Sequence, residues 1–186
     1  MVKKPTEILE EEHHIIQAMV GVMAALVEDL EKGKDLEPGI LRDVIEFMQV
    51  YGDKCHHGKE ENHLFPLLEK KGVPVNGCPL GILVHDHQSA RKLVADLASA
   101  GDAYEKEAEW AREVLRASLN GLVNLYPGHI WKEDYLLFPM TDKILTSEEQ
   151  HNLLEKFELV EMTIGKDVHQ RFEQMVEKLT GQVQPL

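Results

Sequence analysis

Apolar residues recur three and four positions apart through most of the chain, the period of a helix buried on one face. No stretch of alternating β-branched residues is long enough to read as a strand. Leu9, Ile16, Val20 and Met23 form one stripe, in a segment that opens with Thr6 as N-cap and closes at Gly33. Leu41, Ile45, Met48 and Gly52 form a second, between Pro38 and Gly72. The loop VPVNGCP separates it from a third helix, which has Pro79 as an early residue, carries Leu83, Ala90, Val94 and Leu97 on one face, and is expected to end near Ser99 with a break at Gly101-Asp102. A fourth carries Leu115, Leu119 and Leu122 and runs to about Leu145, with a kink or relaxed turn expected at Pro127-Gly128. Thr146 and Glu149 make a capping box that opens a fifth helix to about Leu179. The pattern predicts an all-α fold in one domain of 186 residues: an up-down-up-down four-helix bundle over 6–145 and an additional C-terminal helix over 147–180.

Composition narrows the partners. Apolar residues are 43% and charged residues 28%, an ordinary soluble composition, and the net charge is -13. That acidity argues against nucleic acid or an anionic membrane as a partner. Two cysteines, Cys55 and Cys78, with no C-x-x-C, point to a reducing compartment and away from a disulfide framework or a zinc–thiolate site. The N-terminus has no apolar signal core and no apolar run approaches a membrane span, so the expected location is cytoplasmic.

The chain repeats itself. HHGKEENHLFP, from His56 to Pro66, and HIWKEDYLLFP, from His129 to Pro139, agree as H-x-x-K-E-[ED]-x-x-L-F-P at an offset of 73 residues. ILEEEH and ILVHDH, ending at His13 and His87, agree at an offset of 74. The chain therefore reads as two copies of one helical hairpin, each with a histidine on its first helix and an H-x-x-x-E pair on its second. At about 100° per residue, His56 with Glu60, His129 with Glu133, and His87 continue the apolar stripes, and His13 sits at the edge of its own. His57 and Glu61 fall towards the polar side. A buried ionised carboxylate costs several kcal/mol (roughly) unless it is paired or binds a metal. Imidazole and carboxylate one helical turn apart can share an ion, and this donor set without thiolate suits non-haem iron, then manganese or zinc.

Together EHHII, HHGKEENHLFP, DHQSAR and HIWKEDYLLFP resemble the four metal-bearing helices of the hemerythrin-like family, the HHE cation-binding domains. FELVEMTIG resembles the extra C-terminal segment of its bacterial branch. The resemblance implies a four-helix bundle around two non-haem iron ions, carboxylate-bridged with an oxo or hydroxo group. It carries His13, His56, Glu60, His87, His129 and Glu133 to the metal. Two departures matter. Oxygen-carrying members have H-x-x-x-H on the third helix, whereas Leu83 stands four before His87. They also place the fourth-helix carboxylate five after the histidine, which is Asp134, so Glu133 and Asp134 both remain candidates. The expected centre is one histidine short of that pattern and correspondingly open. It is expected to bind or sense oxygen, nitric oxide, peroxide or iron. A peroxidase- or catalase-like oxidoreductase and an iron store or donor are the alternatives, and the protein partner is unknown. His57 with Glu61 forms an alternative ligand pair. His63 is expected behind the ligands or at a helix end, Glu161 as a supporting or salt-bridged acid, and His14, His85, His151 and His169 at the surface.

Overall fold

The computed structural model describes residues 3–165 and 167–183, which form six helices and, among those residues, no strand. α1 is Pro5–Glu31. α2 covers 38–70 without interruption, as Pro38–Phe47, Met48–His57, Glu60–Leu64 and Phe65–Lys70 in succession. α3 is Leu80–Tyr104, and α4 covers 111–144 as Ala111–Lys132, Glu133–Leu137 and Phe138–Ile144. These four make the predicted bundle. The extra C-terminal segment is α5, Ser147–Ile164, and α6, Val168–Gln182. No helix among the described residues is long and apolar enough to cross a membrane.

Helix ends follow local chemistry, with three corrections to the sequence reading. Pro5, with its φ already helical, starts α1, so Lys4 is the N-cap; Thr6 lies inside the helix and its hydroxyl donates to Asp142 at 2.9 Å. Gly101 does not break α3. A Cβ there would stand 3.2 Å from Ile45 Cδ1 and 3.4 Å from Leu41 Cδ2, so its job is to let α2 and α3 approach. The break comes after Tyr104 instead. The helix predicted over 147–180 is two helices, because Gly165 takes φ +120 and ends α5. The Thr146–Glu149 capping box forms as expected.

α4 runs helically through Pro127, and its widened turn lies ahead of Pro139. The amide of Phe138 bonds to the carbonyl of Glu133, and that of Phe65 to Glu60, each five residues back. Pro66 and Pro139 have no N–H and would press on the carbonyl four residues earlier; a single π turn absorbs the misfit. A third π stretch, Met48–His57, has no such proline.

Two hydrophobic cores result. One joins Ile16, Met23, Phe47, Leu97 and Leu119 to Phe172 and Val176 of α6. The other joins Leu9, Leu64, Leu83 and Leu137 to Leu153 and Phe157 of α5. A layer of buried histidine and glutamate separates them along the helices.

Candidate metal centre

Two groups of ligand-type side chains meet in that layer. His13, His56, Glu60 and Glu133 form one, and His57, His87 and His129 the other; within each, the donor atoms lie within 4.8 Å of one another. All seven residues are at most 1% exposed. The Nε2 atoms of His13 and His56 face each other at 3.1 Å. Glu133 stands between the groups, 3.1 Å from His13 Nε2 and 3.3 Å from His129 Nε2. Glu60 does the same, 3.7 Å from His56 Nε2 and 3.5 Å from His87 Nε2. The four carboxylate separations lack hydrogen-bond geometry. Both carboxylate oxygens of Glu60 and of Glu133, and Nε2 of His57, His87 and His129, have no hydrogen-bond partner among the described residues.

His57 departs from the helical-phase argument. It is 1% exposed and stacks on His87 with ring centroids 3.8 Å apart. Consecutive residues are about 100° apart on an α-helix, but the wider π stretch Met48–His57 narrows that angle, so His56 and His57 both face inward. The layer therefore holds five histidines, the fifth coming from α2 where the third helix has Leu83.

Each histidine has a carboxylate at its outer nitrogen. His13 Nδ1 donates to Asp134 at 2.6 Å, His56 Nδ1 to Glu12 at 2.9 Å, and His87 Nδ1 to Glu61 at 2.6 Å. His57 Nδ1 donates more weakly to Asp53 at 3.4 Å, and His129 Nδ1 lies 3.6 Å from Asp86. A carboxylate there fixes the tautomer and turns the Nε2 lone pair inward, the arrangement found behind metal-binding imidazoles. Cations back the acids in turn: Lys59 on Glu12, Lys132 on Asp86 at 2.6 Å, and Arg91 on Asp53 at 2.7 Å and Glu61 at 3.0 Å.

The repeated phrase now has a reason at nearly every position. Its histidine faces the layer, its lysine backs the acid behind that histidine, and its glutamate stands between the groups. Its second acid, Glu61 or Asp134, supports the histidine of the other copy's first helix. Its phenylalanine stacks on that same ring: Phe65 on His87 at 5.8 Å and Phe138 on His13 at 5.5 Å. His57 breaks the symmetry, since Ile130 holds its place in the second copy.

Asp134, the rival to Glu133, is 24% exposed and lies at the back of His13 rather than in the layer. Glu61 has the matching place behind His87. Glu161 pairs with Lys59 at 2.6 Å. His63 lines a groove with Lys54, Asn62 and Leu159, away from both groups. His169 is not at the open surface: its side chain is 29% exposed and Nε2 lies 3.3 Å from Glu12. The sequence reading missed Glu12, Asp53, Asp86 and Lys59. The signal was present for Glu12 and Asp86, since each is the acid just before a repeat histidine, but each serves the histidine of the neighbouring helix rather than its own neighbour in the chain.

Electrostatics divide the imidazoles, lowering His56 and His57 and raising His13 and His87. Burial pushes His56 down to about 4, and burial with neighbouring imidazoles pushes His57 well down. Burial would also lower His13, but Asp134 and Glu133 outweigh it and lift it to about 9. Burial and the charge of Glu133 push Glu60 well up, whereas the imidazoles of His129, His13 and His87 hold Glu133 low against its own burial. The layer thus holds acids and imidazoles that a cation would satisfy, and no thiolate: Cys55 is buried but belongs to neither group.

A helical bundle with histidine–carboxylate groups converging in its interior fits metal binding. Residues 4–141 and 78–184 match the hemerythrin HHE cation binding domain, and the chain belongs to that family. It is similar, at 22% identity over 152 residues, to uncharacterized proteins of Mycobacterium bovis and of two strains of Mycobacterium tuberculosis. The match takes in 82% of this chain and 59% of each relative's length. No solved structure matches it significantly.

Proposed function

We propose that the chain binds two non-haem metal ions, iron foremost, and presents one of them to a small ligand such as oxygen, nitric oxide or peroxide. His13 and His56 would hold one ion, His57, His87 and His129 the other, with Glu60 and Glu133 spanning both. The observation that carries this is the set of seven buried donor atoms, four carboxylate oxygens and three imidazole nitrogens, with no other partner among the described residues. An unpartnered buried polar group costs about 1–3 kcal/mol, and a cation removes that cost for all of them together. Iron at such a site supplies reversible one-electron chemistry and an affinity for small oxygen- and nitrogen-donor ligands. The chain's own part is to set two unequal positions. With two histidines against three, an ion at His13 and His56 would have one protein donor fewer than its neighbour, and the small ligand would bind there. Asp134 and Glu12 orient those two rings, and Phe138 shields His13 from water.

The test is metal analysis of untagged protein expressed with ample iron, with its near-ultraviolet spectrum. Two ions per chain and iron charge-transfer absorption are expected. Glu133→Ala should lose metal, whereas Asp134→Ala should keep it with affinity about 10–100-fold weaker, as for loss of a group that orients a ligand. A folded protein that neither retains iron nor takes it up anaerobically overturns the proposal.

A further inference from the structure

One of the five supporting carboxylates differs from the rest. Asp53, Glu61, Asp86 and Asp134 are 17–33% exposed, but Glu12 is 1% exposed. The groups that bury it come partly from the C-terminal helices. Its Oε2 accepts from His56 Nδ1 at 2.9 Å. Its Oε1 accepts from the Lys59 ammonium and, at 3.3 Å, from His169 Nε2 on α6. Lys59 is fully buried and donates again, at 2.6 Å, to Glu161 on α5. The matching lysine of the second copy, Lys132, is 32% exposed and open to water beside Asp86. Glu12, Glu161 and His169 also converge closely enough to suggest a third cation position, but the Lys59 ammonium already pairs with both acids.

We propose that Lys59, Glu161 and His169 are positioning residues that couple the C-terminal helix pair, through Glu12, to the metal position of His13 and His56, so that α5 and α6 report its occupancy. This rests on the two-ion reading above. Glu12 keeps the His56 Nε2 lone pair turned inward only while its carboxylate is held in place. A buried carboxylate is held by its countercharge, here Lys59, and Lys59 is steadied in turn by Glu161. Loss of a group directly behind a ligand weakens metal binding about 10–100-fold. His169 acts one contact further out and Glu161 two, through Lys59, so an effect at the low end, about 10-fold or less, is expected of each. Coupling between two equilibria is reciprocal. Filling the His13–His56 position should therefore favour the closed placement of α5 and α6 by the same factor. Among the described residues the three-histidine position has no equivalent link: its outer acids end at Arg91 and Lys132.

The experiment is anaerobic titration with Fe(II), alongside amide hydrogen exchange over Ser147–Ile164 and Val168–Gln182 with and without the metal. Wild type should bind two ions and gain about 10-fold protection in those helices on loading. Glu161→Gln and His169→Phe should each weaken one binding step by up to about 10-fold, leave the other unchanged, and shrink the gain in protection. Lys59→Arg should restore what Lys59→Met loses. Lys132→Met should weaken the other step without altering α5 and α6. Equal weakening of both steps, or variants matching wild type in affinity and protection, overturns the coupling and leaves the two-ion centre standing. A wild-type chain that takes up no iron overturns both.

Discussion

Replacing Glu60 by methionine should change stability in opposite directions with and without metal. Glu60 is fully buried, and neither of its oxygens has a hydrogen-bond partner among the described residues. Methionine has similar length, is a good helix former and adapts to irregular space. In the metal-free protein the substitution removes an orphaned polar group, worth about 2 kcal/mol, or about 4–8 °C in melting temperature for a chain of this size. With metal the sign reverses. Glu60 stands between the two histidine groups, so its loss should weaken both ions. Each ion present at about 100 times its dissociation constant stabilises the fold by about 2.7 kcal/mol. The assay is four melts by far-ultraviolet circular dichroism: wild type and Glu60→Met, each with chelator and with anaerobic Fe(II). The variant should melt higher with chelator and lower with iron. A variant less stable than wild type under chelator would refute the reasoning, because Glu60 would then be satisfied by the fold itself.

In the metal-free protein His13 titrates near 9, against about 6.5 unfolded. Its stabilising contribution is complete below about 6.5 and is lost as pH rises through about 9, roughly 3 kcal/mol in all. Urea titrations of chelated protein across that window should show the fall, and Asp134→Asn, which removes one raising partner, should reduce it. Gly21 lies exposed within α1, and a Cβ there would meet nothing within 4 Å. Gly21→Ala should raise stability by about 1 kcal/mol with metal content unchanged, checked by denaturation and metal analysis.

The helices, their stripes and the repeat were readable because each depends on local spacing. His56, Glu60, His87, His129 and Glu133 continue apolar stripes, and all five lie in the buried layer. His57 was not readable as a core residue because the argument assumed α-helical phase, and Met48–His57 is wound more widely with no proline to announce it. Contacts that cross between helices were hidden too. Glu12 and Asp86 stand beside His13 and His87 in the chain, yet they serve His56 and His129. Glycine was ambiguous for a related reason. The sequence pattern puts a break at Gly101 and runs a helix through Gly165, whereas the first is a packing contact inside α3 and the second ends α5 with a positive φ.

The layer of histidine and glutamate that parts the two hydrophobic cores also bears on how the chain unfolds. A bundle with one continuous core melts as a unit, whereas cores joined through poorly satisfied contacts can open separately. Without metal the layer, with its unpartnered buried polar atoms, should be a weak cross-section of all four bundle helices. The core beneath α5 and the core beneath α6 should then open with different free energies, seen as two classes of hydrogen exchange. Ions held by residues of α1, α2, α3 and α4 at one level would act as a clasp across that section. With it closed, both cores should exchange through one shared opening, so metal here would set the size of the cooperative unit as well as its stability.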